Sequence, residues 1–273
     1  MTGRSMATLE LTDLTLWYER HGRVDTGAPR LLVFNGSGGT IEGSRPLIDK
    51  LAEHCDVLVH DQRCLGRTGL PAAQPTMADY SSDALALVDH VGWDHFAVFG
   101  ISFGGMVAQE FAVTHPDRIT RLALLCTSPG GDGGASYPLH LMAAMDPEER
   151  ARVSLTNLDT RYDDAFLAEH PFDRMIVDGM RQRAEVAKSA EQVRGEAMQL
   201  EARRHHDVWD RLRAITCPTL ITCGEYDGIA PPANSEAIHR RIAGSELRRY
   251  EGGHMFVYQD RRALPDIIGF LTS

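Results

Sequence analysis

The pentapeptide Gly100-Ile101-Ser102-Phe103-Gly104 constrains this chain more than any other stretch. Residues 95–99 (HFAVF) before it are mostly apolar, and residues 105–112 (GMVAQEFA) after it have helical spacing. The pattern reads as strand, tight turn, helix. A serine at the centre of such a turn is held in a strained backbone geometry. Glycines two residues to either side let the strand and helix approach closely. The hydroxyl then stands at the carboxyl edge of a sheet, beside a helix N-terminus. This is the sequence context of a nucleophile elbow. The competing reading is a Gly-rich strand-to-helix loop with no chemistry.

The rest of the chain repeats the alternation. Residues 7–20 read as an opening strand pair, and residues 31–34, 57–61, 120–127, 218–224 and 246–250 as further short strands. Helical spacing covers residues 44–54, with Ser44 as cap and Pro46 in the first turn, and then 77–91, 207–215, 232–243 and 260–272. Alternating strands and helices predict an α/β fold: a mostly parallel, doubly wound sheet with its site at the carboxyl ends of the strands. Residues 131–205 break the alternation and become rich in Met, Ala and charge at helical spacing. They read as a helical cap inserted after the sixth strand, with residues 1–130 and 206–273 forming the core domain. No internal repeat or low-complexity segment is evident.

A serine hydroxyl at neutral pH needs a histidine to take its proton and a carboxylate to orient that histidine. Of 12 histidines, His140, His170, His205, His206 and His239 fall in helical or cap segments and read as solvated. His254 follows Gly252-Gly253 directly after the last strand. Asp227 follows the preceding strand, with Glu225 as the competing acid nearer that strand's end. The order Ser102, Asp227, His254 is the one this architecture requires. After the strand at 31–34, the loop Asn35-Gly36-Ser37-Gly38-Gly39-Thr40 has two readings. One is a phosphate cradle, which lacks a Gly-Lys-Ser/Thr ending. The other is half of an oxyanion hole. Arg63 and Arg67 could bind a substrate carboxylate, or Asp61 and Arg63 could pin their turn locally.

The five cysteines are odd in number and match no zinc spacing. Cys126 and Cys223 lie in apolar runs and read as buried. His205-His206-Asp207 reads as a solvated helix end, so no metal or cofactor is expected. The net charge of −10 disfavours nucleic acid and anionic membrane as partners and fits simple solubility. The N-terminal residues carry no apolar signal-like core, and no run approaches a membrane span, so the expected compartment is the cytoplasm. A small-molecule substrate is the expected partner. Oligomeric state is not legible.

With these residues in hand, the chain resembles the α/β-hydrolase superfamily over nearly its whole length, in its capped esterase, lactonase and haloperoxidase-like branch. The likeness rests on Phe34-Asn35-Gly36-Ser37, on Asp61-Gln62-Arg63-Cys64-Leu65-Gly66-Arg67-Thr68, on the elbow, on Gly224-Glu225-Tyr226-Asp227 and on Gly253-His254. It implies an oxyanion hole made by the backbone N–H groups of Ser37 and Phe103. Two positions depart from the family pattern: Asn35 where His is usual, and Cys64 where the Asp-x-Arg-Gly turn has Gly. The implied activity is hydrolysis of an ester, thioester or lactone of a small, largely apolar substrate. Asn35, Gly36, Met106, Met142, Met145 and Met255 are the substrate-pocket candidates. Alternatives are a C–C bond hydrolase, which would want a basic residue at the pocket, and a prolyl-aminopeptidase-like enzyme, which would want a free cap acid such as Glu196 or Glu201. A further alternative, of another class, is a non-catalytic ligand receptor.

Overall fold

Short apolar runs bounded by Gly, Pro and polar turns become strands, and these assemble into one eight-stranded sheet. The computed structural model describes residues 3–273. Its elements are β1 (Gly3–Glu10), β2 (Thr15–Gly22), β3 (Arg30–Phe34), α1 (Arg45–Ala52), β4 (Asp56–His60), α2 (Met77–His90), β5 (Phe96–Ile101), α3 (Phe103–Thr114) and β6 (Ile119–Leu125). Then come α4 (Pro147–Leu158), α5 (Asp164–Glu169), α6 (Pro171–Glu185) and α7 (Ala190–Arg204). The chain closes with β7 (Thr219–Gly224), α8 (Pro232–Arg241), β8 (Glu246–Tyr250), α9 (Phe256–Gln259) and α10 (Ala263–Thr272).

The strand order is β1-β2-β4-β3-β5-β6-β7-β8. β1 pairs antiparallel with β2, and β2 with β4; every later neighbour pairs in parallel. This is the mostly parallel α/β sheet that the strand–helix alternation predicts. Helices cover both faces, so a central strand can be apolar at every position. In β3, Leu31 and Val33 face one apolar cluster with Val57, Val59 and Phe99. Leu32 and Phe34 face the other, with Val98, Phe103 and Phe111. The period of two divides one strand between two cores.

Three local expectations are corrected. Ser44 precedes α1 but its side chain makes no capping hydrogen bond; Pro46 in the first turn is the start signal that operates. Residues 209–214 form a 3₁₀ turn rather than an α-helix, because Asp207 is bridged to Gly130 and its carboxylate takes the Trp209 N–H at 3.0 Å, tightening the start. The closing helix, expected from residue 260, begins at Ala263 after the separate short α9, because the Asp260 carboxylate accepts the Arg262 N–H at 2.9 Å ahead of it.

Between β6 and β7 the chain leaves the sheet and runs through α4 to α7. Asp146 caps α4 by accepting two N–H groups, and Ser189 with Gln192 forms a capping box on α7. The insertion's own apolar cluster is small: Leu158, Tyr162, Leu167 and Val177. Met175 is exposed, while Met198 is buried. Among the described residues, no helix is long and apolar enough to cross a membrane.

Candidate active site

Four parallel strands deliver the site. β5 leads directly into Ser102, whose φ of 56° and ψ of −117° lie outside the regions L-residues favour. The close approach needs both glycines. A Cβ on Gly100 would lie 2.5 Å from the Gly104 carbonyl oxygen, and one on Gly104 would lie 2.1 Å from the Phe34 carbonyl oxygen. The Ser102 carbonyl accepts from Gly105 N (2.9 Å), Met106 N (3.2 Å) and Thr127 Oγ1 (2.9 Å). Gln109 in turn donates to Gly105 O and Ser128 O, at 3.0 and 3.1 Å. The strained turn is thus held from α3 and from the end of β6.

The loop after β8 brings His254 to Ser102, with Nε2 2.9 Å from Oγ. The loop after β7 brings Asp227, whose Oδ2 is 2.8 Å from His254 Nδ1. An ionised carboxylate only accepts, so Nδ1 carries the proton and donates, leaving Nε2 to accept from the serine. The other Asp227 oxygen accepts the N–H groups of Ile229 (2.8 Å) and Ala230 (2.9 Å). Asp227 and His254 are buried. Burial opposes charging the imidazole, but the adjacent Asp227 carboxylate outweighs it, and His254 titrates well above its ordinary value. Glu225 instead faces outward and pairs with Arg249 at 3.4 Å. Cys126, with φ of 39°, puts its thiol in the same cluster as His254 and Asp227; the three ligating atoms lie within 4.8 Å of one another. Burial raises that thiol's pKa, so it stays neutral.

The loop after β3 lies against the serine: a Cβ on Gly36 would sit 3.5 Å from Ser102 Cβ. Gln62 holds the Asn35 carbonyl at 2.8 Å, and Gln199 of α7 accepts the Gly38 N–H at 2.7 Å. Asn35 Nδ2 and Ser37 Oγ are buried with no protein hydrogen-bond partner.

The His loop is held from the insertion. His254 N donates to Leu158 O at 2.6 Å, and Gly228 N to Asn157 O at 3.1 Å. Gln259 accepts the Gly253 N–H at 2.9 Å and donates to Asp173 at 2.7 Å and Tyr162 OH at 3.0 Å.

A cavity of about 110 Å³ lies beside the elbow, lined by Met106, Ser128, Ser136, His140, Arg203 and His206 among others. Of the pocket candidates only Met106 lines it; Met142 and Met145 lie half-buried on the insertion, and Met255 packs against the cluster around Leu158. His206 is buried rather than solvated, because the loop after β6 folds over the end of α7; burial lowers its pKa to about 4. Arg63 is not free for substrate: it pairs with Asp83 and Asp13 at 2.6 and 3.1 Å, tying its turn to α2. Asp61 pins the turn instead, accepting Ile41 N and Arg67 N at 2.7 and 2.9 Å, and Arg67 lies over the Trp17 ring. Cys64 occupies the turn with φ of 75°.

Sequence reasoning missed Gln109, Gln199, Arg203 and Gln259. For Arg203 a signal existed: it extends the buried stripe Gly195, Met198, Gln199, Ala202 along α7.

A family model described as "alpha/beta hydrolase fold" matches residues 29–260. A poly(3-hydroxyalkanoate) depolymerase of Ectopseudomonas oleovorans is 26% identical over 240 residues, covering 87% of this chain and 82% of that protein. A hydrolase of solved structure from Pseudomonas aeruginosa superposes with a TM-score of 0.79 at 28% identity, covering 98% of this chain and 99% of that one. The enol-lactonase from Burkholderia xenovorans has the same fold, with a TM-score of 0.79 at 24% identity over 98% of this chain and all of its own.

Proposed function

The chain belongs to the α/β-hydrolase fold family, and on that premise we propose that it is a serine hydrolase cleaving an ester, thioester or lactone through an acyl-enzyme on Ser102. The observation that carries this reading is the unbroken run Ser102 Oγ, His254, Asp227, with contacts of 2.9 and 2.8 Å. His254 Nε2 takes the Ser102 proton as Oγ attacks the carbonyl carbon. The oxyanion that forms is met by the N–H groups of Ser37 and Phe103, neither of which is used by another backbone carbonyl among the described residues; each such donor contributes roughly 10²–10³ in turnover. His254 then gives its proton to the leaving group. It next deprotonates water, which attacks the acyl carbon and regenerates Ser102. Asp227 holds the Nδ1–H tautomer and stabilises the imidazolium. The helical insertion serves as the cap over this edge of the sheet.

The aminopeptidase reading loses its free acid: Glu196 pairs with Lys188 at 2.7 Å and Glu201 with His205 at 2.9 Å, both at the surface. C–C bond hydrolysis remains the second reading, because Arg203 supplies the basic group at the pocket that it calls for.

The test is a p-nitrophenyl ester series, acetate to decanoate, with fluorophosphonate labelling. Wild type should turn over the esters and become labelled at Ser102, and Ser102→Ala should do neither. Labelling without ester turnover would move C–C hydrolysis ahead. Absence of both would favour a receptor.

A further inference from the structure

The cavity beside the elbow holds an arginine with nothing to neutralise it. Arg203 is only 6% exposed. Its Nη1 donates to the Tyr137 carbonyl at 2.8 Å, but Nε and Nη2 have no protein partner. No carboxylate lines this cavity, whose other basic groups are Arg204, His140 and the neutral His206. Burial with no opposing acid pulls the Arg203 pKa down to about 10, so the group stays charged at neutral pH. Elsewhere in the molecule the buried arginine Arg63 has its acid, Asp83, at 2.6 Å. A buried cation without a counter-charge is costly, and folded chains seldom keep one without a use.

The two free donors matter by their geometry. Nε–H and Nη2–H form one edge of the guanidinium, two parallel donors spaced to take both oxygens of a carboxylate. The cavity's 110 Å³ equals the liquid volume of roughly three to four waters at about 30 Å³ each. That admits a carboxylate on a short stem. Its position ties it to the reacting centre from two sides. Met106 lines it one helical turn beyond Ser102, with Met106 N donating to Ser102 O at 3.2 Å. On α7, Gln199 holds the loop at Gly38, and Arg203 lies four residues on, a rise of roughly 6 Å. Gln199 Nε2 is also a buried donor without a partner.

We propose that Arg203 is a specificity-determining residue that binds a carboxylate carried by the substrate, so that the preferred substrates are acidic, with a few methylenes between the carboxylate and the carbonyl attacked by Ser102. This rests on the serine-hydrolase reading for its chemistry, though the anion site itself does not. It departs from the expectation of a largely apolar substrate at one end of the pocket.

The experiment compares p-nitrophenyl hemisuccinate, hemiglutarate and hemiadipate with the neutral esters in which a methyl replaces the carboxylate. Wild type should favour an acidic member at least tenfold in kcat/KM. In Arg203→Met that ratio should fall ten- to a hundredfold, and Arg203→Lys should retain part of it. Glutarate or adipate should raise the Tm of wild type and of Ser102→Ala, and not that of Arg203→Met. The Tm of Arg203→Met without ligand should equal or exceed that of wild type, since an unpaired buried charge has been removed. A wild-type ratio near one, or a ratio unmoved by Arg203→Met, overturns the proposal. So does an Arg203→Met protein several degrees less stable with wild type indifferent to glutarate, which would make the guanidinium a prop for Tyr137. Fluorophosphonate labelling of Ser102 with no acidic preference sinks the anion site and spares the hydrolase. Arg203-dependent glutarate binding without any ester turnover does the reverse.

Discussion

In the proposed mechanism the pair His254 and Asp227 sets the pH behaviour. A general base must be neutral, and the Asp227 carboxylate raises His254 above its ordinary 6.5. Activity should therefore climb with pH through an apparent pKa above 6.5 and be lost as pH falls through it, as a kcat/KM profile on one ester would read. Asp227→Asn removes the charge that most opposes burial, moves that limb to lower pH and costs roughly 10³–10⁴ in kcat. A profile that stays put in Asp227→Asn would mean another group titrates. The same raised pKa stabilises the fold below about pH 6.5, the unfolded value, and that contribution fades as pH rises through the folded one. Which residues formed this set was legible from order alone: Ser102, Asp227 and His254 each follow a strand. His206 was not, and Arg203 was legible only as the continuation of the stripe Gly195, Met198, Gln199, Ala202. Their local sequence, Ala202-Arg203-Arg204-His205-His206, looks like a charged helix end in water. Only the fold of the loop after β6 over it makes the charged Arg203 and the imidazole of His206 interior, beside Ala202.

At the scale of elements, the elbow tolerates almost no change. Gly104→Ala drives a Cβ into the Phe34 carbonyl between β3 and α3, two backbones that cannot both yield. We expect a loss of about 3–5 kcal/mol or failure to fold, read as the urea midpoint; a midpoint within experimental error of wild type would contradict the packing described. Gln199 acts differently, holding a loop rather than a core. Gln199→Leu should free the Gly38 N–H, lower kcat roughly tenfold or more and leave the urea midpoint nearly unmoved; a fall in stability with kcat intact would make Gln199 merely structural. Strand positions were readable because fully buried strands are apolar at every residue, as in Leu31 to Phe34. The 3₁₀ turn at 209–214 and the later start of α10 at Ala263 were not, since both depend on a carboxylate capping an N–H two residues on, which apolar periodicity does not register.

Over the whole molecule, stability should be uneven. The sheet lies between two large apolar clusters, whereas the buried apolar residues of α4 to α6 and their loops are Leu158, Tyr162, Leu167 and Val177, with Leu155, Phe166 and Met180 only partly buried against them. Amide exchange across residues 147–185 should be orders of magnitude faster than in β3, β5 and β6, measured by mass spectrometry. Equal protection would show that the insertion unfolds only with the sheet. The change of texture after residue 130 was visible in the sequence. Its fastening to the loops below was not, because it runs through backbone groups that any side chain could carry.

That fastening has a consequence for how such a chain can diverge. Leu158 O takes His254 N, Asn157 O takes Gly228 N, and Thr160 N reaches Tyr226 O at 2.9 Å. A Cβ on Gly253 would lie 2.0 Å from Leu158 O. The segment 157–160 is therefore shared property of insertion and core. Provided Tyr162 and Asp173 are kept for Gln259, helix α5 and the part of α6 beyond Asp173 can be lengthened, shortened or replaced by drift, and new substrates sampled, while the His254 loop stays held. Replacing the insertion as one cassette from residue 131 would take the histidine's support away with it. Variation in this lineage should accumulate beyond residue 160, and chimeras should keep activity only when their first junction falls there.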